Sequence, residues 1–198
     1  MSLLKQKNMP QPDLGSITLN SERLMLSPVS RAFVEDIFNE FTADITRYMM
    51  PKPAGNVDDI CTFIDISREK MIAGDQLVMA ILEAETVQFS GVCAIDGKEQ
   101  GVTAELGVWL KKSAQGKKLG REAVTLLVQW ARDNLVLSHL TYPVDKNNLS
   151  SRKIAESLGG VVVSESQRKS LSGNYLDELV YQIDAQSNVS LDVAYPVA

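Results

Sequence analysis

Residues 104–120 constrain this chain more than any other stretch. Residues 104–110, Ala-Glu-Leu-Gly-Val-Trp-Leu, alternate in polarity as a strand does. Residues 121–134 carry an apolar stripe at helical spacing, with Ala123, Leu127, Trp130 and Ala131 on one side and Leu119 just ahead of it. Between them lies a short basic turn, Gln115-Gly116-Lys117-Lys118-Leu119-Gly120. A strand that feeds a glycine-containing basic turn and then a helix creates an anion site. The first N–H groups of a helix have no partner within it, and its dipole favours negative charge there. A pyrophosphate fits that description.

The remaining segments predict an α+β domain with a mixed sheet. Residues 17–26 read as a strand stopped by Pro28, and residues 31–49 as a helix with Val34, Ile37, Phe38, Phe41 and Ile45 on one face. Residues 51–55 break the chain, and Asn56 or Asp58 caps a second helix that ends at Gly74. Residues 77–82 and 87–95 form a hairpin, and residues 140–144 a strand. Asn147-Asn148 opens a helix stopped by Gly159-Gly160, and residues 161–163 and 178–183 complete the sheet. Residues 1–15 are expected as a loose N-terminal arm, residues 16–184 as the domain, and residues 185–198 as a tail.

Two strand interiors carry residues that weaken pairing. Pro143 has no N–H for a ladder, and Gly107 marks a bulge or a close backbone approach. These neighbouring strands are expected to splay and to leave a slot for an extended ligand.

Composition removes several alternatives. With 20 basic and 25 acidic side chains the net charge is −5, which does not suit coating of nucleic acid or of an anionic membrane. No run reaches the ~18 apolar residues of a membrane span. Cys61 and Cys93 stand in apolar contexts without a Cys-x-x-Cys, as free thiols of a reducing compartment. The one histidine, His139, sits at a strand entrance, which argues against a catalytic triad and a His-based zinc site; no metal is expected. Neither a Gly-x-Gly-x-x-Gly nor a Walker loop is present.

Taken in order, the basic turn, the following helix and strand, Asn148-Leu-Ser-Ser151, and Leu158-Gly159 resemble the GNAT superfamily of acyl-CoA-dependent N-acetyltransferases. That family's loop reads Gln/Arg-x-x-Gly-x-Gly/Ala, and one large branch follows it with Asn-x-x-Ser. Ser21-Glu-Arg-Leu-Met-Leu26 and Gly120-Arg-Glu-Ala-Val124 are similar to the RimJ/RimL-type branch, so the resemblance runs from about residue 17 to residue 184. One departure stands out: Lys118 occupies the place of the loop's first glycine.

The resemblance implies a GNAT-like sheet, mixed and mostly antiparallel, with splayed middle strands flanked by helices. It implies acetyl-CoA as co-substrate and a cytoplasmic N-acetyltransferase that works by direct attack in a ternary complex, without a covalent enzyme intermediate. Backbone groups of Gln115, Gly116, Lys117, Lys118, Leu119 and Gly120 would hold the pyrophosphate, and Leu110 and Asn148 the pantetheine arm. Ser151 would hydrogen-bond the thioester sulfur and help it leave, as well as belonging to the cofactor site. Glu105 would take the proton of the substrate ammonium, because an amine must be neutral to attack. A backbone N–H of the strand before the loop would hold the oxyanion. The branch favours a protein N-terminal amine of ribosomal-protein type as acceptor. A small amine (polyamine, aminoglycoside or amino acid) is the alternative, and Lys118 motivates a third reading, a non-catalytic acyl-CoA-binding or partner-binding module. A homodimer is left open.

Overall fold

The computed structural model describes residues 2–7, 13–98 and 103–186. Eight strands form one sheet in the order β1-β2-β3-β4-β5-β6-β8-β7. They are β1 Leu19–Asn20, β2 Leu24–Pro28, β3 Gln76–Glu83, β4 Phe89–Gly97, β5 Thr103–Leu110, β6 His139–Asp145, β7 Val161–Lys169 and β8 Tyr175–Asp184. The helices are α1 Val34–Glu40, α2 Val57–Ala73, α3 Leu119–Asn134 and α4 Leu149–Ser157. Every described pairing is antiparallel except β5 with β6.

The sheet is covered on both faces, which is why β3 is buried along almost its whole length. Successive strand residues point to opposite faces, and Trp109 and Leu110 identify what lies on each. The Trp109 ring meets Phe41, just past α1, at 4.9 Å. The Leu110 side chain instead packs at Gly120 of α3, where an added Cβ would lie 3.4 Å from Leu110 Cδ1. Helix α3 is amphipathic as expected, with Ala123, Val124, Leu126, Leu127 and Val128 fully buried. Helix α2 starts in a capping box: the Asn56 side chain accepts from the Asp59 N–H, and the Asp59 carboxylate accepts from the Asn56 N–H. It ends at Gly74, whose φ of 74° is a left-handed C-cap.

The expected splay is present. Strands β5 and β6 pair only at Thr103–His139, Ala104–Leu140 and Glu105–Thr141. Beyond that point β5 runs on to Leu110 and β6 to Asp145 without a ladder between them. Pro143 and Gly107 both lie in the parted half. Gly107 makes no bulge against β4; it leaves open space, with nothing within 4 Å of where a Cβ would stand.

Three expectations differ from the structure. Residues 17–26 are two short strands, because Ser21 turns the chain: its N–H donates to Leu24 O at 2.9 Å and its hydroxyl oxygen accepts from the Leu24 N–H at 3.1 Å. Residues 31–49 are α1 between two short 3-10 turns, with the helix stopped at Phe41 (ψ 64°). The described part of residues 1–15 is tied to the body rather than loose. Leu4 is fully buried, its N–H donates to Gly74 O at 2.8 Å, and residues 5–7 bond to Val136 and Asn134. Residues 8–12 of the expected arm and 187–198 of the expected tail lie outside the described residues. No described helix is long and apolar enough to cross a membrane.

Candidate active site at the parted strands

The basic turn leads directly into α3. Gly116 takes a φ of 77° in open space. Lys118 takes φ 64° and ψ 10° as the N-cap, a left-handed conformation that costs a non-glycine residue roughly 1–2 kcal/mol. The lysine therefore keeps the backbone shape that a glycine would adopt without strain. The N–H groups of Lys118, Leu119, Gly120 and Arg121 find no acceptor among the described residues, and no side chain caps the helix. Four free donors at a helix N-terminus suit a pyrophosphate. The Gln115 amide closes the turn, donating to Leu110 O at 3.1 Å. Lys117 and Lys118 are exposed, while the Leu119 side chain is buried and offers only its backbone. Gly120 is buried and lets α3 approach Leu110 and Ile154 closely.

Glu122 in the first turn of α3 would repel an anion if it stood free. It does not. Ser21 Oγ donates to it at 2.7 Å, Arg23 Nε donates to it at 2.8 Å, and a second guanidinium nitrogen completes the ion pair. The same guanidinium donates to Lys117 O at 3.2 Å. Arg23 thus neutralises the helix-start acid and braces the turn. Neither Arg23 nor Glu122 stands out in the sequence as a pair; only the acid in a first helical turn next to an expected anion site hints at a required counter-charge.

On the other side of the gap, Asn148 caps α4. Its side-chain oxygen accepts from the Ser151 N–H at 3.2 Å. This leaves the Ser151 hydroxyl free to reach across to β6, where it lies 2.8 Å from the Tyr142 hydroxyl. Asp145 fixes the intervening turn: its carboxylate accepts from the N–H of Asn147 at 2.9 Å and of Asp177 at 3.0 Å. Tyr142 is only 2% exposed. Burial pushes its phenol up to about 12, opposed by the Ser151 hydrogen bond and assisted by the nearby Cys93 thiol. Its position beside the inward Leu140 and Val144 was a readable signal, since a buried tyrosine needs a partner for its hydroxyl. Cys93 is wholly buried, and its own thiol is held protonated by desolvation.

The opposite face carries a cavity of about 660 Å³, the size of a small-ligand site. Phe41, Ile60, Phe63, Val92, Gly107 and Trp109 contribute to its wall, and Asp59 and Asp96 are its carboxylates. Glu105 shares this face by strand alternation but sits where β5 and β6 are still paired. It lies opposite Asp96 in the β4–β5 register, and Lys98 bridges the two acids, 2.7 Å from Asp96 and 3.6 Å from Glu105. Burial works against the Lys98 charge, yet the Asp96 hydrogen bond and both carboxylates raise it above the ordinary lysine value.

Glu105 and Ser151 are therefore not in contact. The ladder places Ala104 beside Leu140 and Glu105 beside Thr141, so Tyr142 and Ser151 belong to the face opposite Glu105. The gap between the strands joins the two.

Residues 23–161 match the family model described as an acetyltransferase (GNAT) domain. A Bacillus licheniformis protein named as an uncharacterized N-acetyltransferase, p20, is 28% identical over 145 residues, covering 71% of this chain and 80% of that one. Among solved structures, the microcin C7 self-immunity acetyltransferase MccE, in complex with acetyl-CoA and AMP, superposes with a TM-score of 0.74 at 21% identity over 86% of this chain and 96% of the other. A provisionally assigned ribosomal-protein-serine acetyltransferase from Vibrio cholerae gives 0.72 at 19% identity, over 86% and 98%.

Proposed function

The chain belongs to the GNAT acetyltransferase family and is an acetyl-CoA-dependent N-acetyltransferase, and we propose that its acceptor is the N-terminal amine of a protein. The opening segment Ser21-Glu-Arg-Leu-Met-Leu26, which is similar to the RimJ/RimL-type branch, supports that acceptor. One observation carries the reading of the site: the sheet opens between β5 and β6, with a hydroxyl pair on one face and a cavity with carboxylates on the other.

When bound, acetyl-CoA supplies the activated acetyl group. The free N–H groups at the start of α3, with Gly116, Lys117, Lys118, Leu119 and Gly120, would hold its pyrophosphate, and Gln115, whose own N–H donates to Lys112 O at 3.3 Å, would shape the turn. Leu110 and Asn148, on the two sides of the gap, would hold the pantetheine arm. An acceptor ammonium enters from the cavity face and gives a proton to Glu105, directly or through water. The Ser151 hydroxyl, ordered by Tyr142, would donate a hydrogen bond to the thioester sulfur and stabilise it as it leaves. Much of the acceleration comes from holding two reactants in line across the gap.

The test mixes the protein with acetyl-CoA and a panel of peptides and small amines and follows free CoA. Release that depends on peptide N-termini supports the proposal. Release only with polyamines, aminoglycosides or free amino acids overturns it in favour of a small-amine acceptor.

A further inference from the structure

The acceptor cavity has the wrong charges for a polycation and the right wall for an apolar side chain. Resting on the acceptor reading above, we infer that the substrate is a singly charged primary amine attached to an apolar, aromatic-sized group; for a protein acceptor, this is an N-terminus whose leading side chains are apolar.

Charge comes first. Polyamines and aminoglycosides carry several ammonium groups, and each needs a carboxylate or comparable acceptor once it leaves water. Two carboxylates line the cavity among the described residues, and both have partners. Asp59 accepts from the N–H groups of Gly55 and Asn56 at 2.8 and 3.3 Å, as part of the capping box that starts α2. Asp96 is held by Lys98 at 2.7 Å, and Glu105 beside it shares the same lysine. Lys52 also lines the cavity and makes no ion pair among the described residues, so it repels a second positive charge. Asp59, Asp96 and Glu105 set against Lys98 and Lys52 leave this region with one net negative charge, matched to a single ammonium rather than to several.

The wall supplies the complementary half. Phe41 and Trp109 both line the cavity, with ring centroids 4.9 Å apart and an interplanar angle of 51°. Trp109 is backed by Phe89 at 5.8 Å, and Phe89 by Phe33 at 5.9 Å. A row of tilted rings fixes the position of the first pair, which both line the cavity. Phe63, on α2, lines the same cavity and is 40% exposed, an apolar area that a guest would cover. A guest of this kind gains from desolvation of its own apolar surface.

The test measures equilibrium binding by calorimetry, with CoA present, of three probes: tetrapeptide amides beginning Phe-Ala and Lys-Ala, and spermidine. Turnover with acetyl-CoA is measured on the same samples. The expected result is at least tenfold tighter binding of the Phe-Ala peptide than of either polycation. Phe41→Ala should weaken that peptide about tenfold and leave acetyl-CoA affinity unchanged. Because Phe41 packs in the wall and its loss can perturb folding, Phe63→Glu is the second variant. It adds a carboxylate at an exposed position and should shift the preference toward spermidine. Spermidine or the Lys-Ala peptide binding as tightly as the Phe-Ala peptide, or no peptide binding at all, overturns the inference. Selective binding of the Phe-Ala peptide without acetylation leaves the cavity preference standing and counts against the N-terminal acceptor alone.

Discussion

The hydroxyls of Tyr142 and Ser151 lie 2.8 Å apart, one on the buried side of β6 and the other in the first turn of α4. This contact closes one side of the gap between β5 and β6. It also joins two hydroxyls that both keep their protons, the phenol because burial holds it up to about 12 and the serine because an alkyl hydroxyl is a weaker acid still. Neither hydroxyl ionises near neutral pH, so the pair can keep a proton at the place where a sulfur anion would leave. Ser151→Ala is expected to lower kcat by about 10²-fold, the lower end for a positioned acid. Tyr142→Phe should cost less, since it removes only the order imposed on Ser151. Steady-state kinetics on both variants separates these effects.

Tyr142 also makes a prediction about alkaline stability. Its folded value of about 12 lies above the ordinary tyrosine value of about 10. The neutral phenol is therefore favoured by the fold, and that contribution is complete below about pH 10. Between about pH 10 and 12 the unfolded chain ionises first, and on the order of 2 kcal/mol is lost. Denaturant unfolding of wild type at rising pH should show this loss. Tyr142→Phe should lack that component, with a shallower decline over the same interval.

Lys118 is the clearest conflict between local preference and site shape. Its φ of 64° is the conformation for which a glycine is suited, and the four N–H groups beside it remain free. Lys118→Gly is expected to stabilise the protein by about 1 kcal/mol, which for a chain of this length raises Tm by about 2–4 °C. Acetyl-CoA affinity should change less than fivefold, because the backbone already has the needed form. A wild type that fails to bind acetyl-CoA in calorimetry, with binding restored by the glycine, would show instead that the lysine side chain blocks the site.

The parts legible in the sequence were those with local causes. The amphipathic α3, a cap for α2 at Asn56 or Asp58, the glycine stops and the basic turn all depend on residues a few positions apart, and the structure places the cap at Asn56 and the others where expected. The splay could be anticipated because Pro143 and Gly107 are local weaknesses. The segments misread depend on distant partners. Helix α1 stops at Phe41, whose ring is taken up by Trp109 on β5, and no periodicity within residues 31–49 contains that information. Leu4 looked like part of a polar arm, yet its burial rests on backbone bonds to Gly74 and its neighbours' bonds to Asn134 and Val136. In the site, Asn148 was readable as a helix start, whereas the ion pair of Arg23 with Glu122 joins the first hairpin to the third helix and leaves no pattern in the sequence.

Glu105 can be tested through pH. It shares Lys98 with Asp96, which lines the cavity, and stands opposite Asp96 on the same face of the sheet. If it accepts the ammonium proton, Glu105→Gln should lower the rate at saturating substrates by about 10²-fold and change its dependence on pH. A rate profile that matches wild type from about pH 6 to 9, the usual range of tuned catalytic bases, would assign the proton to another acceptor or to water.

Arg23 should act on cofactor affinity without touching the chemistry. Its guanidinium holds Glu122 and donates to Lys117 O, so it governs both the charge and the shape of the turn before α3. Arg23→Ala leaves a carboxylate whose side chain is 16% exposed next to the free N–H groups, where it competes with an incoming anion. Acetyl-CoA should bind about tenfold more weakly, with kcat at saturation unchanged. Replacing the acid as well, in Arg23→Ala/Glu122→Gln, removes that competitor and should recover most of the affinity. If the double variant binds no better than Arg23→Ala, the bond to Lys117 O carries the effect and the charge of Glu122 does not. Calorimetry on the three proteins at low and high salt distinguishes the two, because only repulsion from the carboxylate is screened.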